Sequence, residues 1–458
     1  MKPLPLAEVE DSARCQFLGI LFNWGLYGIL VAQTCTYIAT FPRDMRINKV
    51  MVYVVFFLET TQTTLLSYDL YQTFVVHFGD AQVLERMGLK WFSVPLLAGV
   101  VGWIAQLFYA WRIYKLSRAR KISVIVMLLA FLQLGSAIAE SLRARTAATL
   151  PGLRVQQDVI SVLSGTFWVL AMVSCDIIIA VVMTYYLLKL RREFYYDSSF
   201  FVRRLLLLTV ETGSVTAFAA IMAGLFFVGK PGSEAFNIPG FTFGKLYAVS
   251  LLRVLHSRHR ADASAEILTF PVSLESPLSS QQSSSSRVDP RPFGPARTYI
   301  ASSLRDTRAK KAVVIVVLFL ETIQTTLLSY DLYQTFVAHF GEAQIVERMG
   351  LKWFTVPLLG GVTGWITQLF YAWWIYIIAR AKKTSGVVAL LAFSQLITAI
   401  AQAIRAHIAA TIPGLRVKQD PKSVLSGTSW VLAMVACNLV IAIAMSYYLM
   451  KLRRDFLL

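Results

Sequence analysis

Long apolar segments constrain this chain more than any other feature. A bilayer core about 30 Å thick requires about 20 mainly apolar residues in helical form. Lipid cannot hydrogen-bond to free backbone groups, so each segment of that length is expected to be a helix. Eleven segments qualify, at roughly 15–40, 50–76, 91–114, 122–142, 160–188, 204–228, 238–256, 312–337, 353–378, 385–404 and 423–450.

The composition excludes the soluble classes. Of 458 residues, 56% are hydrophobic and 15% are charged, whereas a soluble domain carries about 25% charged residues. Segments such as ISVIVMLLAFLQLG do not alternate as the strands of a membrane barrel would. We therefore predict an all-α, polytopic transmembrane helix bundle whose main partner is the lipid bilayer of the plasma membrane or an endomembrane.

The charges in the loops predict how the chain is threaded. Lysine and arginine in short loops favour the cytoplasmic side. One set of alternate loops carries 29 basic and 9 acidic residues, and it comprises 41–49, 112–121, 189–204, 253–311, 380–383 and 451–458. This excess places the N-terminus outside and the C-terminus in the cytoplasm. It also explains the net charge of +18 without a nucleic-acid partner.

An internal repeat is the strongest pattern in the chain. Residues 43–194 align with 305–456 at a constant offset of 262, and about 105 of these 152 positions are identical. The repeat runs in parallel, unlike the inverted repeats of many transporters. It predicts a seven-helix membrane domain at 1–260, a flexible Ser/Pro-rich cytoplasmic linker at 261–304, and a partial copy of helices 2–5 at 305–458.

The partial copy lacks counterparts of helices 1, 6 and 7. Because helix 7 returns the chain to the cytoplasm, the copied helix 2 enters the membrane from the same side as the original. Besides a genuine eleven-helix protein, two origins stay open: a decayed duplication, and a fusion of two neighbouring coding regions with the linker as the seam. An intact mass or transcript across residues 255–315 separates them.

Several motifs resemble a large fungal, mainly basidiomycete, family of seven-helix membrane proteins that carries domain of unknown function 6534. They are FLETTQT (57–63), WFSVPLLAGVVGWIAQLFYAWRI (91–113), CDIIIAVVMTYYLLKLRR (175–192), RRLLLLTVETGSVTA (203–217) and GKLYAVSLLRVLHSR (244–258). The domain itself resembles about 168–258. Val249 and His256 stand where that family usually has asparagines. The resemblance implies an architecture and no reaction, because the family has no established activity.

Ionisable side chains inside the spans are the candidate functional residues. A charge at the bilayer centre costs at least about 2.5 kcal/mol, so it should be paired or functional. Four of those in the first half lie at overlapping depths: Glu59, Asp176, Glu211 and Lys245. We predict that Lys245 pairs with one of these acids and that Gln62 and Gln106 extend this polar centre. The alternative is a purely structural pair.

The second copy repeats only part of this set. Its counterparts are Glu321, Gln324, Gln368 and Asn438, the last replacing an aspartate. It has no equivalent of Lys245 or Glu211, so Glu321 requires protonation or a partner from elsewhere.

No motif predicts catalysis, a metal site or a cofactor. The four cysteines and five histidines show no metal-ligand spacing, and HExxH, GxSxG and phosphate-loop motifs are absent. We therefore expect a non-enzymatic protein. A receptor-like or sensor protein with a small-molecule ligand is favoured, and a transporter or channel that uses the intramembrane acids is the alternative. The oligomeric state is left open.

The threading gives the first testable prediction. An epitope tag before Met1 should be reachable by antibody on intact cells, and a tag after Leu458 should become reachable only after permeabilisation. The reverse pattern would invalidate the threading and every depth derived from it.

Overall fold

The computed structural model describes residues 6–80, 83–84, 88–118, 120–149, 159–193, 215–216, 218–219, 221–226, 229, 234–268, 307–342, 345, 350–411 and 421–457. Every regular element within these ranges is a helix. The contacts divide the chain into two compact units, Met1–Glu275 with Phe336–Gly341, and Ser276–Thr335 with Glu342–Leu458. Each unit is described by itself.

The described part of the first unit contains six long helices and one further helical stretch. In chain order they are α1 (Leu6–Thr40), α2 (Arg46–Tyr71), α3 (Ala98–Ser117), α4 (Arg120–Thr149), α5 (Val159–Glu193), α6 (the described residues between 215 and 229) and α7 (Phe243–Leu268).

The second unit contains four helices that follow the order of α2 to α5. They are α8 (Thr307–Tyr333), α9 (Gly360–Ala379), α10 (Lys382–Thr411) and α11 (Pro421–Leu457). Local irregularities recur in both copies at equivalent positions. Arg118 and Arg380, for example, end α3 and α9 in the left-handed conformation, with φ of 52° and 50°.

Nine helices among the described residues are long and apolar enough to cross a membrane. This finding supports an integral membrane protein. The predicted segments 204–228 and 353–378 are not among the nine. Much of the former lies outside the described residues. The latter contains α9, whose 20 residues include no charged side chain.

The helix preceding α3 contains a proline whose disruption is compensated. Pro95 lies in a π-helical turn, Ser93–Leu97, because proline donates no backbone hydrogen bond and crowds the carbonyl four residues earlier. That carbonyl belongs to Trp91, and the hydroxyl of Ser141 on α4 donates to it at 2.8 Å. Such side-chain donation is how membrane helices tolerate proline.

Helix α7 is the centre of the first unit. In the span Glu234–His256, 78% of the most apolar stretch is buried, against 33% in the span that contains α2. Leu251, Leu252 and Leu255 of α7 belong to one core cluster with residues of α1, α2, α3 and α5. The first unit therefore packs around α7, and the side chains of α7 decide what this core can hold.

The end of α7 differs from the sequence-based expectation. The linker was expected from residue 261, but α7 continues to Leu268. Residues 261–268 read ADASAEIL, and alanine, glutamate and leucine are strong helix formers. The remainder of the predicted linker, from 269 to 304, lies outside the described residues.

The compensation at Pro95 can be tested with serine variants. Ser141→Ala removes the donor to Trp91 and should lower the stability of the protein in detergent by about 0.6–1.7 kcal/mol, measured as a fall in Tm. Ser136→Ala is the matched control, because Ser136 is in the same helix and bonds only to that helix's own carbonyls. Equal effects of the two variants would contradict this role of Ser141.

Candidate functional site: the polar contacts of α7

A buried ion pair joins α7 to α2. Lys245 Nζ lies 2.9 Å from Glu59 Oε2, and neither side chain has any exposed surface. Lys245 also donates to Gln62 Oε1 at 3.4 Å. Residues 59 and 62 are three apart and therefore share one face of α2. Both acceptors of Lys245 thus come from one helix, and their spacing in the sequence turns them to the same side.

The ion pair is fully buried, but some polar atoms in it lack a hydrogen-bond partner. Among the described residues, Glu59 Oε1 and Gln62 Nε2 are buried without a hydrogen-bond partner. Such atoms are uncommon in native structures, because an unpaired buried polar group is costly. The nearby Thr63 does not satisfy either of them, since its hydroxyl donates to the backbone carbonyl of Glu59. The site therefore has unused capacity for a proton or another donor and acceptor.

Gly244 makes room for this carboxylate. A Cβ atom at position 244 would collide with Glu59 Oε1 and would lie 3.2 Å from Gln62 Oε1. A glycine before Lys245 therefore lets the Glu59 carboxylate lie against the backbone of α7. The close approach explains how Lys245 reaches Glu59 without leaving space for water.

A second polar contact joins α7 to α5. Tyr247 donates through its hydroxyl to Asp176 Oδ2 at 2.8 Å, and both side chains are buried. Gln106 of α3 and Thr216 of α6 lie beside the same carboxylate. Asp176 is thus surrounded by polar groups from three other helices.

The two contacts lie on different sides of α7. Residues 245 and 247 are two apart, which corresponds to about 200° around a helix of 3.6 residues per turn. Lys245 consequently faces α2 and Tyr247 faces α5. We call these the Lys245 contact and the Tyr247 contact. Together they hold one central helix between two carboxylates.

This arrangement corrects one sequence-based expectation and specifies another. A single shared polar centre was expected, but Glu59 and Asp176 lie on opposite sides of α7. Three acids were predicted as partners of Lys245. In the described structure Glu59 pairs with it, whereas Asp176 accepts a hydrogen bond from Tyr247. Glu211 lies outside the described residues. Gln62 lies in the Lys245 contact and Gln106 beside the Tyr247 contact.

The second unit retains only part of the site. Gln368 Nε2 donates to Asn438 Oδ1 at 3.2 Å, which repeats the proximity of Gln106 and Asp176. Glu321 is exposed and Gln324 is half-buried. The second unit therefore keeps the polar residues that face α7 in the first unit, but none of its described helices is equivalent to α7.

Sequence reasoning missed three residues of the site: Gly244, Tyr247 and Thr216. None carries a charge, so a search for intramembrane charges passes over them. Gly244 and Tyr247 flank Lys245 within the segment GKLYAVSLL. The signal available was a glycine directly before the single intramembrane lysine of the first copy. Within the described residues, no group of three or more histidine, cysteine or acidic side chains could hold a metal ion.

Comparison with known proteins identifies a family for one part of the chain. A family of unknown function, DUF6534, matches residues 172–260. No curated protein and no solved structure matches the chain. The matched region includes Asp176, Lys245 and Tyr247 but ends before the second unit, and Glu59 lies outside it. The family match thus covers α7 together with one of the two carboxylates that hold it.

A glycine substitution tests the packing of the Lys245 contact. Alanine favours helix over glycine, so Gly244→Ala would stabilise α7 if nothing opposed the new methyl group. Because the new methyl group would collide with Glu59, we expect the variant instead to lower the stability of the protein by about 1–3 kcal/mol. The measurement is Tm in detergent. Gly135→Ala in α4 is the control, because a Cβ there meets nothing within 4 Å; it should leave Tm unchanged or raise it.

Paired substitutions test the ion pair itself. Lys245→Met leaves the buried Glu59 carboxylate uncompensated and should destabilise the protein by about 3–5 kcal/mol. Adding Glu59→Gln should recover much of that loss, since the double variant buries no charge. Thermal unfolding of both single variants and the double variant gives the coupling free energy between the two side chains. Additive losses would show that the two side chains do not interact.

Proposed function

We propose that this chain is a multi-pass membrane protein of receptor or sensor type, in which α7 is the moving element. We further propose eleven spans, a seven-helix body followed by a duplicated four-helix segment, an outside N-terminus and a cytoplasmic C-terminus. The membrane is the plasma membrane or an endomembrane. The proposed signal is a small-molecule ligand or a proton, and the protein is proposed to be neither an enzyme nor a nucleic-acid binder.

The observation that carries this proposal is the unpaired Glu59 Oε1 inside a fully buried ion pair. A purely structural pair is stable when its remaining lone pairs are satisfied. Here one carboxylate oxygen has no partner and can accept a proton. Protonation would abolish the attraction to Lys245 and leave a lone cation in a low-dielectric site. A small chemical change would then favour another position of α7.

The Tyr247 contact supports the same interpretation. It leaves α7 attached to α5 when the Lys245 contact opens, so a rotation of α7 about that attachment becomes the expected movement. Two attachments of different chemistry give two arrangements of one helix, which is what a switch requires. The part of α7 that follows Arg253, on the proposed cytoplasmic side, would transmit this movement to a partner.

A transporter or channel is the second candidate, and the positions of Glu59 and Asp176 favour it. Two buried carboxylates on either side of one helix could be occupied by protons in turn. The complete burial of Lys245 and Glu59 favours the sensor, because a transport site must open to water during its cycle.

A distance measurement combined with a flux measurement separates these functions. The full chain is placed in lipid nanodiscs with Cys35, an exposed native cysteine, changed to serine. Spin labels at Ile47→Cys and Arg253→Cys report the separation of α2 and α7. Glu59→Gln should change this separation by a few ångströms, the scale of interhelical switching movements. In proteoliposomes the same variant should leave proton flux unchanged.

Glu140→Gln is the matched control for this experiment. Glu140 is another buried acid of the first unit, and it accepts a bond from Ser164 of α5. The second copy has glutamine at this position, and Ser426 donates to Gln402 in the same way. The control should leave the label separation unchanged. An unchanged separation in Glu59→Gln would overturn the sensor, and proton flux lost in both Glu59→Gln and Asp176→Asn would establish the transporter.

A further inference from the structure

Helix α8 carries an acid that has lost its partner. Glu321 occupies the position of Glu59, yet it is exposed at the surface of the second unit and has no hydrogen bond or ion pair to any described residue. A carboxylate on a membrane-spanning helix costs several kcal/mol unless it is paired, and hydrocarbon chains provide no partner. The first unit shows that the partner of this position is a lysine from a neighbouring helix.

Two further side chains of the second unit each have one oxygen atom without a partner. The Oε1 atoms of Gln324 and Gln368 are buried without a hydrogen bond among the described residues. Their counterparts face α7 in the first unit, where Gln62 accepts from Lys245 and Gln106 lies beside the Tyr247 hydroxyl. The unmet acceptor of Gln324 therefore coincides with the bond that Lys245 of α7 gives to Gln62 in the first unit. Gln106, the counterpart of Gln368, keeps buried atoms without a hydrogen-bond partner even beside α7.

A groove continues this surface toward the beginning of α8. Its volume is about 350 Å³, and it is lined by Lys310, Val313, Ile366, Leu369, Phe370 and Trp373. The counterparts of three lining residues, Met51, Ile104 and Phe108, pack in the first unit against the core cluster that contains Leu251 and Leu255 of α7. The groove corresponds to space that α7 helps to fill in the first unit.

The groove and the unpaired polar groups lie along one face of α8. Positions 310, 313, 317, 321 and 324 are spaced by three or four residues, which aligns them on one side of a helix. None of the most apolar stretch of the span Lys310–Ala338 is buried within the protein, against 33% in the corresponding span of the first unit. We call this side of α8, together with the adjoining side of α9, the α8–α9 face.

We propose that the α8–α9 face binds a membrane-spanning helix of a partner polypeptide, and that this helix places a lysine against Glu321 as Lys245 lies against Glu59. The lysine donates to Glu321 and to Gln324 Oε1. A glycine precedes it, because the same carboxylate must fit against the helix backbone. A tyrosine two residues after it reaches Gln368 and Asn438. The partner helix is thus recognised by the pattern Gly-Lys-x-Tyr within an apolar span.

Charge complementarity selects this occupant over lipid. Acyl chains can fill the apolar groove, but they leave Glu321 and the Oε1 atoms of Gln324 and Gln368 without a partner. An anionic headgroup would repel Glu321. The chain's own α7 is held in the first unit by the Lys245 and Tyr247 contacts. The α8–α9 face therefore requires a helix from another polypeptide.

A peptide with the sequence of residues 229–262 serves as the probe, since it contains Gly244, Lys245 and Tyr247 in their natural order. It carries a photo-crosslinking amino acid in place of Leu251 and is added to the full chain in lipid nanodiscs. Mass spectrometry should locate the crosslinks within 307–333 and 360–379. Glu321→Gln should reduce their yield at least about thirtyfold, the loss expected when one partner of a buried charge pair is removed.

Controls keep the test independent of folding and of the first unit. Glu342→Gln changes an exposed acid of the same unit outside the α8 helix and should leave the yield unchanged. Glu321→Lys combined with Lys245→Glu in the peptide should restore crosslinking that each change alone abolishes. Crosslinks found only in 46–71 or 98–117, only between copies of the chain, or equally with Glu321→Gln would overturn the proposal. None of these outcomes depends on whether the first unit is a sensor.

Discussion

The cost of a charge inside a bilayer is the constraint on which this structure depends. Lys245 and Glu59 have no exposed surface, so each is tolerable only because the other is present. That mutual requirement fixes the register of α7 against α2, and Gly244 permits the distance between them. The core of the first unit then packs around α7. Removing the pair therefore affects the architecture and the proposed switch together.

The fold was largely predictable from the sequence, and the site only in part. Apolar length predicts helices because lipid leaves the backbone no alternative, and every apolar segment contains helix among the described residues. The same rule cannot give helix ends, so α7 passes residue 261 unnoticed. Charge identified Lys245, Glu59 and Asp176, but not which acid faces the lysine, because that depends on the rotation of each helix about its axis.

The sequence match between 43–194 and 305–456 makes the second unit an internal comparison for the first. Where the two copies retain the same contacts, as in the pairs Gln106 with Asp176 and Gln368 with Asn438, the residues have stayed polar despite the loss of a charge. Where α7 has no counterpart, Glu321 is left without a partner among the described residues. The difference between the copies shows what α7 contributes, which a single copy could not reveal. A helix in this position supplies both the cation and the phenol that the carboxyl-bearing helices require.

The central claim is that Lys245 and Glu59 form a contact within the lipid bilayer, and solid-state NMR measures it directly. The full chain is labelled with ¹⁵N on lysine side chains and ¹³C on glutamate carboxyls and placed in lipid bilayers. A nitrogen–carboxyl dipolar coupling that corresponds to the 2.9 Å separation of Nζ and Oε2 should be present, and Lys245→Met should remove it. If every lysine–glutamate coupling survived that substitution, the ion pair would not exist in the membrane.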